Sequence, residues 1–133
     1  VTRLAKAFRL LSVLWAGSLW SLIWVTQTLF HAQPDRTLAG LLAGYLFSIE
    51  TYVGLATAAC ALCLPAPGRF RFGYIAAGVL AFNEWALRPV MRAARADGSY
   101  LGLSFGGWHG VSMLLYLVAC IALLLLVWNE DLR

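Results

Sequence analysis

The chain has 133 residues, of which 62% are hydrophobic, 14% aromatic and 12% charged, with a mean hydropathy of +0.77. A soluble domain carries about a quarter of its residues as charges, so this composition points to lipid as the solvent. The net charge of +4 does not indicate nucleic acid, because the basic residues flank apolar segments as topology signals do.

The first apolar run covers residues 8–30 and is long enough to cross a ~30 Å hydrocarbon core. Bulky Phe30 interrupts any small-residue cleavage pattern, so the N-terminal region reads as an uncleaved spanning helix and not a secretory signal. Pro34 and Asp35 stop one helix and start the next, over residues 37–64. PAPGRFR (65–71) breaks the chain again, and a third helix over 72–95 turns polar after Asn83, where Pro89 withholds a hydrogen bond from Trp85. ADGSYLGLSFGG forms a polar turn region, and the most apolar segment, 105–128, precedes a short polar tail.

The expected fold is therefore an all-α, integral membrane four-helix bundle in a single domain. Arg3, Lys6, Arg9, Arg69, Arg71 and Arg133 lie on one side of the bilayer, and Arg36, Arg88, Arg92 and Arg95 on the other. That bias places both termini in the cytoplasm of a bacterial inner (plasma) membrane. The loops leave no room for a soluble catalytic domain, so the chain leans away from being an enzyme, and any chemistry belongs within or at the edge of the membrane.

Helical spacing groups the polar residues into stripes. Trp20, Trp24, Gln27 and His31 align on the first helix near Gly17. This is an aromatic packing face ending at the interface or, alternatively, a ligand groove. Gly40 and Gly44, with Ser48 a turn later, form a small-residue pattern that favours close helix approach. Glu50 shares a stripe with Ala43, Gly54, Thr57 and Ala61, which suggests burial. It is either a protonated, hydrogen-bonded core residue or a proton or cation relay. Cys60 and Cys63 match CxxC only formally; at the apolar end of a helix they read as ordinary buried cysteines.

Glu84 and Arg88 stand at i,i+4 in the favourable order, so they either neutralise each other or wall a water-filled cavity. His109, Met113, Tyr116 and Cys120 line one face of the last helix. His31 and His109 fall at a similar depth on different helices. Packing is the plain reading of these residues, and a haem or copper site held by His109, His31 and Met113 is the metal reading. Taken together, Gln27, Glu50, Asn83, Glu84, Arg88 and His109 are candidates for an outward-facing polar cavity. Gly17, Gly40, Gly44 and Pro89 are candidates for shaping helix packing.

Three blocks carry a family likeness: LWAGSLW…TLF (14–30), DRTLAGLLAGYLF (35–47), and NEWALRPVMRAARA (83–96) with FGGWHG (105–110). Their order resembles the transmembrane protein 205-like family of small four-helix membrane proteins of unknown function. The resemblance implies that Gly17, Gly40, Gly44, Phe47, Pro89 and His109 occupy characteristic positions, and it supplies no reaction. A weaker likeness in architecture, to copper-resistance D-type membrane domains and haem-binding four-helix oxidases, keeps the metal alternative open.

Three functions remain in competition. The first is a membrane-embedded binding or translocation unit with its polar cavity, partnered by the lipid bilayer and by further copies of itself. The second is a haem- or copper-binding redox or metal-handling subunit. The third is an assembly partner of a larger membrane complex.

Overall fold

The computed structural model describes residues 3–129; Arg133 and the end of the polar tail lie outside the described residues. Helix α1 (Arg3–Ala32) is followed by α2 (Arg36–Ala61), α3 (Arg71–Phe82), α4 (Arg88–Asp97) and α5 (Phe105–Trp128). A π-helical turn, Asn83–Leu87, joins α3 to α4 without a break, so the two form one rod and the described residues make four rods. No strand occurs among the described residues; an isolated bridge pairs Tyr100 with Leu103.

Three helices, α1, α2 and α5, are long and apolar enough to cross a membrane. At 1.5 Å per residue the 30 residues of α1 extend about 45 Å, so its ends project beyond a ~30 Å core. The helix runs from Arg3, before the apolar run begins. The second helix stops at Ala61, short of Leu64, since Pro65 cannot continue it.

Local chemistry sets the turns. The Asp35 carboxylate caps α2 by accepting from the backbone N–H groups of Thr37 (3.0 Å) and Leu38 (3.3 Å). Ser104 caps α5 through Gly107 N–H at 3.3 Å. Gly98 ends α4 with φ 82°, a left-handed conformation that glycine adopts without steric cost.

Each of the four rods packs mainly against two others. α1 and α3 sit diagonally opposite, and α2 and α5 lie between them. Leu19, Leu80, Leu123 and Leu126 fill the centre. At one end Phe70, carried by a 3-10 turn, is buried against Phe8 (5.1 Å between centroids), Trp15 (6.5 Å) and Tyr74 (5.2 Å), and plugs the bundle. Polar bonds also tie α1 to α5: Tyr116 donates to the Leu19 carbonyl, and Trp20 Nε1 donates to the Cys120 carbonyl at 3.0 Å.

Close glycine packing occurs away from the Gly40/Gly44 pattern. A Cβ on Gly54 would lie 2.5 Å from the Trp15 ring, whereas Gly17 and Gly40 have nothing within 4 Å. The close approach expected at Gly40 is therefore not made within this chain. Cys60 and Cys63 are exposed, correcting their expected burial, because they lie on the outward side of the chain there while Ala61 between them faces the core; Cys120 is buried.

Candidate functional site

Two polar clusters flank α2. Ser48 and Glu50 are two residues apart, so they project about 200° from each other around the helix axis. One serves the α3–α4 rod and the other serves α1. Gly44 lies about 12 Å along α2 from its first residue and Glu50 about 21 Å, so the first cluster is shallower and the second is central.

The shallower cluster is a charge clamp. Arg88 Nη1 donates to Glu84 Oε1 at 2.9 Å and to Ser48 Oγ at 3.0 Å, while Nη2 donates to the Gly44 carbonyl at 2.9 Å. The single Ser48 proton is shared between Glu84 Oε1 (2.8 Å) and the Gly44 carbonyl (3.1 Å). The Glu84 side chain is 11% exposed and that of Arg88 32%. The guanidinium thus reaches across to α2 and does not simply snorkel outward. It also absorbs a helix carbonyl, which suits a group with several planar donors.

The π turn lies directly beneath this clamp. Pro89 lacks the N–H that would bind the Trp85 carbonyl, and its ring crowds that turn. The helix widens instead of breaking, and the Arg88 N–H donates to Asn83, five residues back. Asn83 also uses its side chain, with Nδ2 donating to the Ser112 carbonyl on α5 at 3.2 Å.

The central cluster contains a carboxyl group without a charged partner among the described residues. Ser18 of α1 donates to Glu50 Oε1. Glu50 is only 5% exposed, and its Oε2 is buried with no hydrogen-bond partner in the described structure. Trp15, one turn before Ser18, is 1% exposed, and its Nε1 is likewise buried and unpartnered. The Trp15 ring lies on Gly54, one turn after Glu50, so both orphaned groups belong to the same α1–α2 seam. Ala43, Gly54, Thr57 and Ala61 are buried alongside Glu50, as their shared stripe predicts. On α5, Tyr116 and Cys120 lie within electrostatic reach of Glu50. Buried polar groups without partners are rare in folded proteins, and each calls for an explanation.

The remaining candidates lie elsewhere. Gln27 and His31 are exposed and line a shallow surface depression with Phe30 and Arg36. His109 is exposed and stacks on Phe105 at 5.9 Å, while the Arg95 guanidinium sits 4.1 Å from the centre of the same ring. Met113 is exposed, and Tyr116 and Cys120 turn into the core, so the expected single face of α5 divides. Among the described residues no three His, Cys, Asp or Glu side chains gather as a metal-binding group. The six cavity candidates are therefore distributed over a clamp, a seam, an α3–α5 contact and two surface positions.

Ser18, Trp15 and Ser48 were not singled out as site residues by spacing. Serine and tryptophan inside an apolar run resemble packing residues until the facing helix is known.

No curated protein and no solved structure matches the chain. The model of one family, described as a domain of unknown function (DUF4149), matches residues 10–100. That match covers more than half of the sequence, and the chain belongs to this family of domains of unknown function.

Proposed function

We propose that the protein is a small membrane-embedded binding or translocation unit in which Glu50 is the exchanging group, handling a proton or a small cation. The observation that carries this reading is the contrast between two intramembrane carboxyl groups. Glu84 is matched by Arg88, whereas Glu50 has a serine on one oxygen and nothing on the other. An ionisable side chain at this depth is costly unless neutralised or used, so the unmatched one is the functional candidate.

In this reading the α3–α4 rod is the fourth span, over the stretch 72–95, and the chain resides in a bacterial inner membrane with both termini cytoplasmic. The transmembrane protein 205-like resemblance is consistent with that arrangement. His31 lines a surface depression with Gln27, Phe30 and Arg36 while His109 stacks on Phe105, and among the described residues no three His, Cys, Asp or Glu side chains gather for the haem or copper alternative to build on.

The test is ion flux in vesicles reconstituted with the purified protein. Glu50→Gln removes the exchangeable proton while keeping the shape, and is expected to abolish flux; Glu50→Asp is expected to retain part of it. Full flux in Glu50→Gln overturns the assignment.

A further inference from the structure

We infer that Glu50, Ser18 and Trp15 form a proton-binding site, with H⁺ and not a metal cation as its ligand. This rests on the reading of Glu50 as the exchanging group and narrows it to one chemical class. The argument begins with the oxygen supply. A hard cation of the calcium or magnesium type takes about six or more oxygen ligands. Among the described residues, the side-chain oxygen in contact with the Glu50 carboxyl is that of Ser18. The nearby hydroxyls of Thr51 and Thr57 donate to their own helix, to the carbonyls of Phe47 (2.9 Å) and Val53 (2.7 Å). The other orphaned group in the seam, Trp15 Nε1, is an N–H donor and cannot ligate a cation. A proton needs only one oxygen, and Oε2 is free to take it.

Ser18 suits both states of the group, and Trp15 suits the anion. In the neutral acid, Ser18 bonds Oε1 and the O–H lies on Oε2. In the anion, Ser18 still serves Oε1, and the Trp15 N–H, buried and unpartnered in the same seam, is the donor assigned to Oε2. Uptake forms the O–H bond at Oε2 with a proton from water, and release breaks it and returns the proton to water. The proton donor is hydronium, which becomes water, and no other covalent bond changes.

The groups facing Glu50 across the bundle are consistent with a lone proton site. α5 contributes Tyr116 and Cys120, both buried. Tyr116 already donates to Leu19. α1 contributes Ser18 and Trp15, and the ionisable residues of α3, Arg71 and Tyr74, belong to its first turn. Ser18 lies on the outer, lipid-facing surface of the bundle, while the carboxyl itself is enclosed.

Infrared difference spectroscopy of the full chain in lipid bilayers, recorded between acid and alkaline sodium-free buffer, tests the site without reference to transport. A protonated-carboxyl C=O band is expected that disappears in Glu50→Gln. In Ser18→Ala it moves to higher frequency, because the carbonyl oxygen loses its hydrogen bond. It is expected to be indifferent to added sodium, potassium or magnesium. Replacing Trp15 with benzothienylalanine, in which sulfur takes the place of the indole N–H, keeps the bicyclic ring and deletes only that donor. It is expected to preserve the band and to slow Glu50-dependent proton flux about tenfold, the effect of one lost hydrogen bond to a charged group. Absence of a Glu50-dependent band, or its loss on adding a metal cation, overturns the proton assignment. A normal band in protein that moves no ions overturns translocation and leaves the proton site intact.

Discussion

Arg88 Nη2 lies 2.9 Å from the backbone carbonyl of Gly44, so a cation on the α3–α4 rod holds an oxygen that already belongs to the helix ladder of α2. With Glu84 and Ser48 on its other nitrogen, Arg88 links two helices and neutralises a nearly buried carboxylate. We read the clamp as a structural device whose mutants report on stability.

Arg88→Met alone leaves Glu84 without its counter-charge. Breaking a buried pair from one side costs about 3–5 kcal/mol, and the low end applies here because the guanidinium is a third exposed. Replacing both residues, Glu84→Leu with Arg88→Met, is expected to cost less than the single change, since no charge is stranded. Unfolding of the three proteins in mixed micelles gives the comparison. A double variant less stable than Arg88→Met contradicts the clamp.

The glycines make opposite predictions in spite of similar sequence settings. Gly54→Ala drives a methyl group to 2.5 Å from the Trp15 ring, and overpacking of this kind costs about 1–3 kcal/mol. Gly44→Ala meets Arg88 Nη2 at 3.7 Å, an ordinary contact, and Gly40→Ala meets nothing within 4 Å. Both are expected to stay within about 1 kcal/mol of the parent in unfolding measurements. Loss of stability at Gly40 without change at Gly54 reverses the assigned packing.

The α1–α5 seam is held in part by polar bonds from aromatic residues. Tyr116→Phe removes the donor to Leu19, and Trp20→Phe removes the donor to Cys120. Interhelical hydrogen bonds in membranes average about 0.6 kcal/mol, with a maximum of about 1.7, so each variant is expected to fold with a modest deficit. A deficit well above that range in thermal unfolding assigns these residues more than a packing bond.

The sequence is informative where interactions are local and ambiguous where they depend on a facing helix. The Glu84–Arg88 pair is readable because i and i+4 are neighbours on any helix. Ser18–Glu50 and Arg88–Gly44 are 32 and 44 residues apart, and their pairing depends on how the rods are arranged. Gly54 and Gly40 look alike because a membrane helix is apolar on its lipid face and its protein face alike, which removes the amphipathic cue that identifies the interior. Pro89 signals a weakened turn. It does not signal that the turn widens into a π-helix, because that outcome depends on the bond from Arg88 to Asn83 and on the packing around it. The cavity inferred from similar depths divides because residues at one level of a bundle can still face different seams.

The central claim is that Glu50 exchanges its proton while Glu84 is held for structure. Proton flux in matched vesicles, comparing Glu50→Gln with the Glu84→Leu/Arg88→Met double variant, tests it most directly. The account predicts flux near the vesicle background for Glu50→Gln and near the parent protein for the double variant. Parent-level flux in Glu50→Gln, or loss of flux only in the double variant, contradicts it.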